Sequence, residues 1–260
     1  MASSARRLRV RELPATIRAG LGLPGPWRSV AIGLVAISPV PAFVFSMMVG
    51  SYGLAVGDVV GILWSRLLGN ETYEAMTYTV LLDIRLPRVL AAMLVGMGVS
   101  VSGAVLQGVL RNPLVDPYIL GLSAGAAFGA ALAIAVATWL PVQLSAFAFG
   151  LLAMALAYTM ARSGGRVPIV SLILSGVITS AIFTALLSIV QITAHERSLQ
   201  TIVRWIMGSF NAVTWTVLSQ GWLPIAVGTI VMVLLRWRLN VLALGDDEAR
   251  SSGMNVERYK

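Results

Sequence analysis

The chain reads as an all-α, polytopic transmembrane helix bundle of about six spans, and three observations lead there. Of its 260 residues, 57% are hydrophobic and 12% are charged. The mean hydropathy is +0.84, which suits a bilayer rather than water. Five stretches, 29–57, 89–110, 117–161, 167–194 and 205–235, carry no charge, and each exceeds the ~20 apolar residues that cross a ~30 Å hydrocarbon core. The third is long enough for two crossings, with Trp139-Leu140-Pro141 near its middle as the turn.

Taken in order, residues 1–28 form a basic leader, read as a solvated or headgroup-bound tail. The apolar run behind it is longer than the core of a cleaved signal, so it is expected to stay as the first span. The bundle occupies 29–238, with spans near 30–50, 89–108, 118–138, 143–161, 168–193 and 214–235. Between the first two spans, Val59, Val60, Ile62, Leu63, Leu67 and Leu68 recur at helical spacing around Arg66, which predicts an amphipathic helix on the outer surface. Asn70-Glu71-Thr72 matches a glycosylation sequon, a motif short enough to arise by chance. His195, Glu196 and Arg197 fall in a short outer loop, where His195 has a solvated or capping role. Two prolines in Arg111-Asn112-Pro113-Leu114-Val115-Asp116-Pro117 break the helix between spans two and three, and Ser163-Gly164-Gly165-Arg166 joins spans four and five. Residues 239–260 form a cytoplasmic segment. In it Asp246, Asp247 and Glu248 open a short helix and Arg250 closes it, the sign order that the helix dipole favours, with Gly253 as the stop.

Orientation follows from charge. With the N-terminus inside, fourteen of the nineteen Lys and Arg residues lie on inner segments, and Arg66, Arg85, Arg88, Arg197 and Arg204 lie outside. The positive-inside rule therefore places both termini in the cytoplasm. The net charge of +8 is then topological, and no nucleic-acid partner is expected.

The missing chemistry is as informative. No cysteine is present, which removes thiol catalysis and thiolate metal sites. The predicted spans hold no acid or base, which disfavours an ion-coupled carrier. A single His and no buried carboxylate pair leave nothing for an intramembrane enzyme, so no metal, cofactor or catalytic residue is expected. The only Lys is Lys260, so a phosphate-binding loop of the Gly-Lys-Ser/Thr type cannot form, and ATP, if it drives the protein, binds to another chain.

Two features carry binding or packing. Gly121, Gly125 and Gly129 repeat every four residues, with Gly96, Ser100 and Gly103 on the second span. Such small-residue faces let helix backbones approach in lipid, either within one bundle or between two protomers. Arg85 and Arg88 stand three apart at the outer mouth of span two, beside Pro87 as a helix starter. They read either as headgroup anchors or as bidentate docking points for an acidic partner.

These residues form a pattern: Arg85-Leu86-Pro87-Arg88-Val89-Leu90, then Gly103-Ala104-Val105-Leu106-Gln107, then residues 111–121 and Ser123-Ala124-Gly125-Ala126. Near the end come Leu242-Ala243-Leu244-Gly245-Asp246-Asp247-Glu248-Ala249-Arg250 and Gly253. The pattern resembles the FecCD-type permeases, membrane subunits of ATP-binding cassette importers for iron-siderophores, haem and vitamin B12. The resemblance implies a permease in the cytoplasmic (inner) membrane, paired with a second permease subunit as a homodimer. Two ATPase subunits would lie below and an extracytoplasmic substrate-binding protein above. It matches Arg85 and Arg88 to docking arginines, Asn112 and Leu114 to a cytoplasmic gate, and Gly245, Asp246, Asp247, Glu248, Ala249, Arg250 and Gly253 to the helix that couples to the ATPase. Members continue for several spans beyond that helix. The chain therefore has an alternative reading, as a truncated or split permease fragment or membrane scaffold that does not transport.

Overall fold

The computed structural model describes residues 25–50, 52–68, 74–162 and 167–253, and side chains at 25–28, 66, 67 and 246–248 are left undescribed. The leader up to residue 24, the sequon and residues 163–166 lie outside the described residues. Every regular element among the described residues is helical, as expected where no water is available to satisfy backbone N–H and C=O groups.

The chain divides into two compact units, 1–89 and 90–260. The first contains α1 (Gly25–Ile37), α2 (Pro39–Met48), α3 (Val56–Leu68), α4 (Ala75–Thr79) and a π-helical turn (Val80–Arg85). The next helix, α5 (Leu86–Leu110), has its first turn there. Met47, Leu54, Val59, Ile62, Leu81 and Leu82 form the buried cluster of this unit. The amphipathic helix expected around Arg66 is α3, and it carries two apolar stripes. Val59 and Ile62 are buried in the cluster, whereas Val60, Trp64 and Leu68 are exposed. At its start Asp58 accepts a bond from the Ala55 N–H at 3.1 Å, the acid half of a capping box.

Pro87 does not open a helix as its position suggested. It is buried inside a continuous helical run, Ala75–Leu110. A proline ring crowds the carbonyl four residues back and removes one N–H. The run passes through by widening, so that the Leu86 N–H donates to the Leu81 carbonyl across the π turn.

The second unit is built on α6 (Leu122–Ala135), α7 (Val142–Ala161) and α8 (Ile169–Thr193), which pack on one another, with α9 (Glu196–Met207) laid on α6. Then follow α10 (Trp215–Leu234), α11 (Arg236–Leu244) and α12 (Asp246–Ser251). Among the described residues, five helical runs are long and apolar enough to cross a membrane: Ser29–Met48, Ala75–Leu110, Val142–Ala161, Ile169–Thr193 and Trp215–Leu234. The span expected near 118–138 is helical only over the 14 residues of α6, roughly 21 Å. Pro117 and the left-handed Gly121 (φ 81°) delay its start.

His195, Glu196 and Arg197 are not a simple loop. His195 is the N-cap of α9, Glu196 lies in the first turn and Arg204 in the last. Ile202 is fully buried beside Ala131 and Val190. Leu199, Ile202, Val203 and Ile206, spaced by three and four, were the signal for this helix. The broad apolar stretch at 205–235 masked it.

Candidate functional site

The docking pair comes first. Arg85 is buried, 8% exposed. Its Nη1 donates to the Met47 carbonyl at 2.6 Å and to the Met48 carbonyl at 3.0 Å, and its Nη2 donates to the Tyr52 carbonyl. Met47 and Met48 are the last residues of α2, whose final carbonyls have no partner within the helix. A cation there also meets the negative end of the helix dipole. Arg85 is thus a C-terminal cap supplied from 37 residues away along the chain. Arg88, on the first turn of α5, is half-buried.

The turn matched to a gate is built by its own side chains. α5 ends in a Schellman-type motif, with the Asn112 N–H reaching the Gln107 carbonyl at 3.1 Å and the Arg111 N–H the Gly108 carbonyl at 3.2 Å. Arg111 holds the left-handed position there, φ 51°, where glycine is usual. Asn112 Oδ1 accepts from the Leu114 N–H at 3.0 Å, and Asp116 Oδ1 from the Tyr118 N–H at 2.6 Å. These two Asx turns bracket the buried Val115. Leu114 is 89% exposed at the tip.

The segment matched to ATPase coupling is a helix–Gly–helix unit. Gly245 (φ 140°) breaks α11 from α12, and Gly253 (φ 80°) ends the second helix. Leu242 and Ala249 bury each other across the break. Ala249 is therefore an internal packing residue, while Arg250 and Ser252 are exposed.

Gly125 and Gly129 face α7 of the same chain. A Cβ on Gly125 would stand 2.5 Å from Ala153 Cβ and from the Phe149 carbonyl, and one on Gly129 would stand 2.5 Å from the Ser145 carbonyl. Gly121 instead faces Gly176 and Thr179 of α8, and Gly96 of α5 faces open space. The close approach lets Ser145 Oγ of α7 donate to the Gly129 carbonyl of α6 at 2.7 Å, and between α8 and α7 Ser175 Oγ donates to the Ala157 carbonyl at 2.7 Å.

Within the second unit, α5, α7, α10 and the 117–122 turn line a half-open apolar cavity of about 400 Å³. Its lining hydroxyls are those of Ser102 and Tyr118.

Comparison with known proteins now bears on these features. The model of the FecCD transport family matches residues 36–260. The chain belongs to this family. Among curated FecCD relatives it is 36% identical to the molybdate import system permease protein MolB of Haemophilus influenzae, over 90% of this chain and 69% of that one. It is 39% identical to a probable iron chelatin transport system permease protein of Helicobacter pylori, over 74% of this chain and 58% of that one. A solved structure, an inward-facing conformation of a metal-chelate type ABC transporter, superposes with a TM-score of 0.74 at 33% identity, over 89% of this chain and 70% of that chain. The chain thus spans roughly six- to seven-tenths of the length of these relatives, and it is a multi-pass membrane protein of the FecCD family.

Proposed function

We propose that this chain is the permease subunit of an ATP-driven importer in the inner membrane, working with a second permease subunit, two separate ATPases and an extracytoplasmic binding protein. The observation that carries this reading is the family match over residues 36–260, which includes the 111–121 turn and the α11–Gly245–α12 unit. Substrate is read as a class, a metal chelate or an oxyanion, since one relative is named for molybdate and another for an iron chelate. The apolar cavity agrees with a protein that leaves selectivity to the binding protein.

In the proposed division of labour the α11–α12 unit meets the ATPase, the exposed Leu114 narrows the cytoplasmic mouth, and the arginine end receives the binding protein. A chain without its own nucleotide loop must receive work through a mechanical joint, and a short helix fixed by the Leu242–Ala249 contact is rigid enough to pass on a push.

The test is a crosslink from Ser252→Cys with the neighbouring ATPase and binding protein present. Adducts with the ATPase alone are expected, and adducts with the binding protein alone would overturn the topology. Uptake of a ferric siderophore and of molybdate, assayed in parallel in proteoliposomes, then assigns the substrate class. ATP-independent accumulation of either would overturn the importer reading.

A further inference from the structure

We propose that the exposed face of α3 lies in the lipid interface at the level where the first span ends, so that this helix between two spans is a membrane element whose partner is the phospholipid bilayer. The placement rests on the multi-pass membrane assignment and is independent of what the protein transports.

At 3.6 residues per turn, Val56, Gly57, Val60, Gly61, Trp64 and Leu68 share an arc of about 140° on the helix. The side chains on that arc carry no charge, and the Trp64 indole N–H is their one hydrogen-bonding group. Val56, Val60, Trp64 and Leu68 are 50%, 53%, 63% and 61% exposed. A helix resting on a protein under water turns its polar side outward. In α3 the order is inverted. Val59 and Ile62 are fully buried, and the buried Ser65 returns its hydroxyl to the Ile62 carbonyl at 3.0 Å. Asp58 is spent on the Ala55 N–H at the helix start. Nothing polar is left for the outward face to offer to water.

The buried side fixes the height. Val59 and Ile62 cluster with Met47, Leu81 and Leu82. Met47 lies in the last turn of the run Ser29–Met48, and Leu81 and Leu82 lie near the start of the run Ala75–Leu110. A helix held against the neighbouring ends of two spans is at the membrane interface and not clear of it.

Two further observations favour lipid over a protein partner. A protein interface carries roughly one hydrogen bond per 100–200 Å², whereas this face has a single donor to give. The first span against which α3 packs is itself bare, with Leu34, Val35, Val40 and Phe45 each 65% or more exposed, so α3 adds to a surface that already requires lipid. Trp64 suits the boundary, with its ring among acyl chains and its N–H at the headgroups.

The test uses the absence of cysteine in the chain, which allows one nitroxide label at a time. Gly57→Cys, Val60→Cys and Leu68→Cys are labelled in the full chain in nanodiscs of phosphatidylcholine and phosphatidylglycerol, with Phe45→Cys on the first span as the lipid reference. A Cβ at Gly57 meets nothing within 4 Å, so that site disturbs the helix least. Power saturation then compares collisions with oxygen, which concentrates in lipid, and with a neutral nickel chelate, which stays in water. Oxygen should exceed nickel by about threefold on the α3 face, in the same direction as at Phe45→Cys. Should one labelled variant fail to accumulate, the other two carry the ratio. Trp64→Glu behind the Gly57 label should shift the ratio toward nickel as the carboxylate draws the face to water, and Trp64→Phe should leave it in place. Nickel exceeding oxygen at Gly57→Cys and Val60→Cys would put the face in water and overturn the proposal. Low collision with both reagents would mean that protein covers it and would overturn the proposal as well, with a disulfide between copies of Val60→Cys identifying a second copy as the cover. An unmoved ratio in Trp64→Glu would also overturn it. None of these readings depends on transport, so loss of uptake in a variant leaves them intact.

Discussion

The end of α2 and the contact between α6 and α7 bring backbones together in opposite ways. At the first, a long charged side chain fills the gap, with Arg85 satisfying three carbonyls that no helix reaches. At the second, side chains are absent: Gly125 and Gly129 leave α6 against the backbone of α7, and dispersion with one serine bond, from Ser145 to the Gly129 carbonyl, completes the contact. The lesson is that the two regions fail under opposite changes. One fails when atoms are removed and the other when atoms are added.

The largest effect expected from this contrast comes from adding two methyls to the seam. Gly125→Ala and Gly129→Ala each place a carbon 2.5 Å from a facing carbonyl oxygen, and a backbone cannot rotate away as a side chain can. Overpacking of this kind costs about 1–3 kcal/mol per site. Because both sites press on Phe149, the double variant should lose less than the sum. Titration with SDS in mixed micelles reads the loss as an earlier unfolding midpoint, and an unchanged midpoint would mean that α7 slides aside freely.

Removing atoms at the other region comes next. Arg85→Met keeps most of the stem and abandons three carbonyls in a buried site, for about 2–3 kcal/mol, whereas Arg85→Lys should retain part of the cap. If Met and Lys behave alike in the same titration, the cap is not electrostatic and the contrast collapses.

Smaller still are the serines. Ser145→Ala at this seam, and Ser175→Ala between α8 and α7 as its control, should each cost about 0.6 kcal/mol, the average for a side-chain bond between membrane helices. A loss several times larger would mean that hydrogen bonding and not close approach holds the seam.

The smallest change should run in the opposite direction. Arg111 bears a left-handed φ of 51°, a conformation that costs an L-residue roughly 1–2 kcal/mol and glycine little. Against the greater chain entropy of glycine, Arg111→Gly should stabilise the turn by about 0.5 kcal/mol. Destabilisation would show that the Arg111 side chain supports the turn.

The sequence was sufficient for whatever depends on composition and short-range pattern. Charge-free runs longer than a bilayer core identified helices α5, α7, α8 and α10 within a few residues of their ends, because apolar backbone must bond to itself. Asp246 to Gly253 announced α12 through charge order and a terminal glycine, and Gly253 ends that helix as expected, whereas the break at Gly245 is seen only in the fold. The repeat at Gly125 and Gly129 was visible as a close-packing face, but spacing could not name its partner. Only the fold shows that it is α7 of the same chain.

The amphipathic α9 was hidden because a hydropathy window averages its polar face into the apolar stretch that follows. Pro87 looked like a helix start because local rules do not foresee a π turn that carries a helix through a proline. Arg85 and Arg88 looked alike because sequence records type and spacing, whereas burial is a long-range property. What separates them is the return of the chain at Met47, Met48 and Tyr52, 33 to 38 positions away. Which carbonyls meet which cation is decided only once α2, its turn and the π turn are folded against one another.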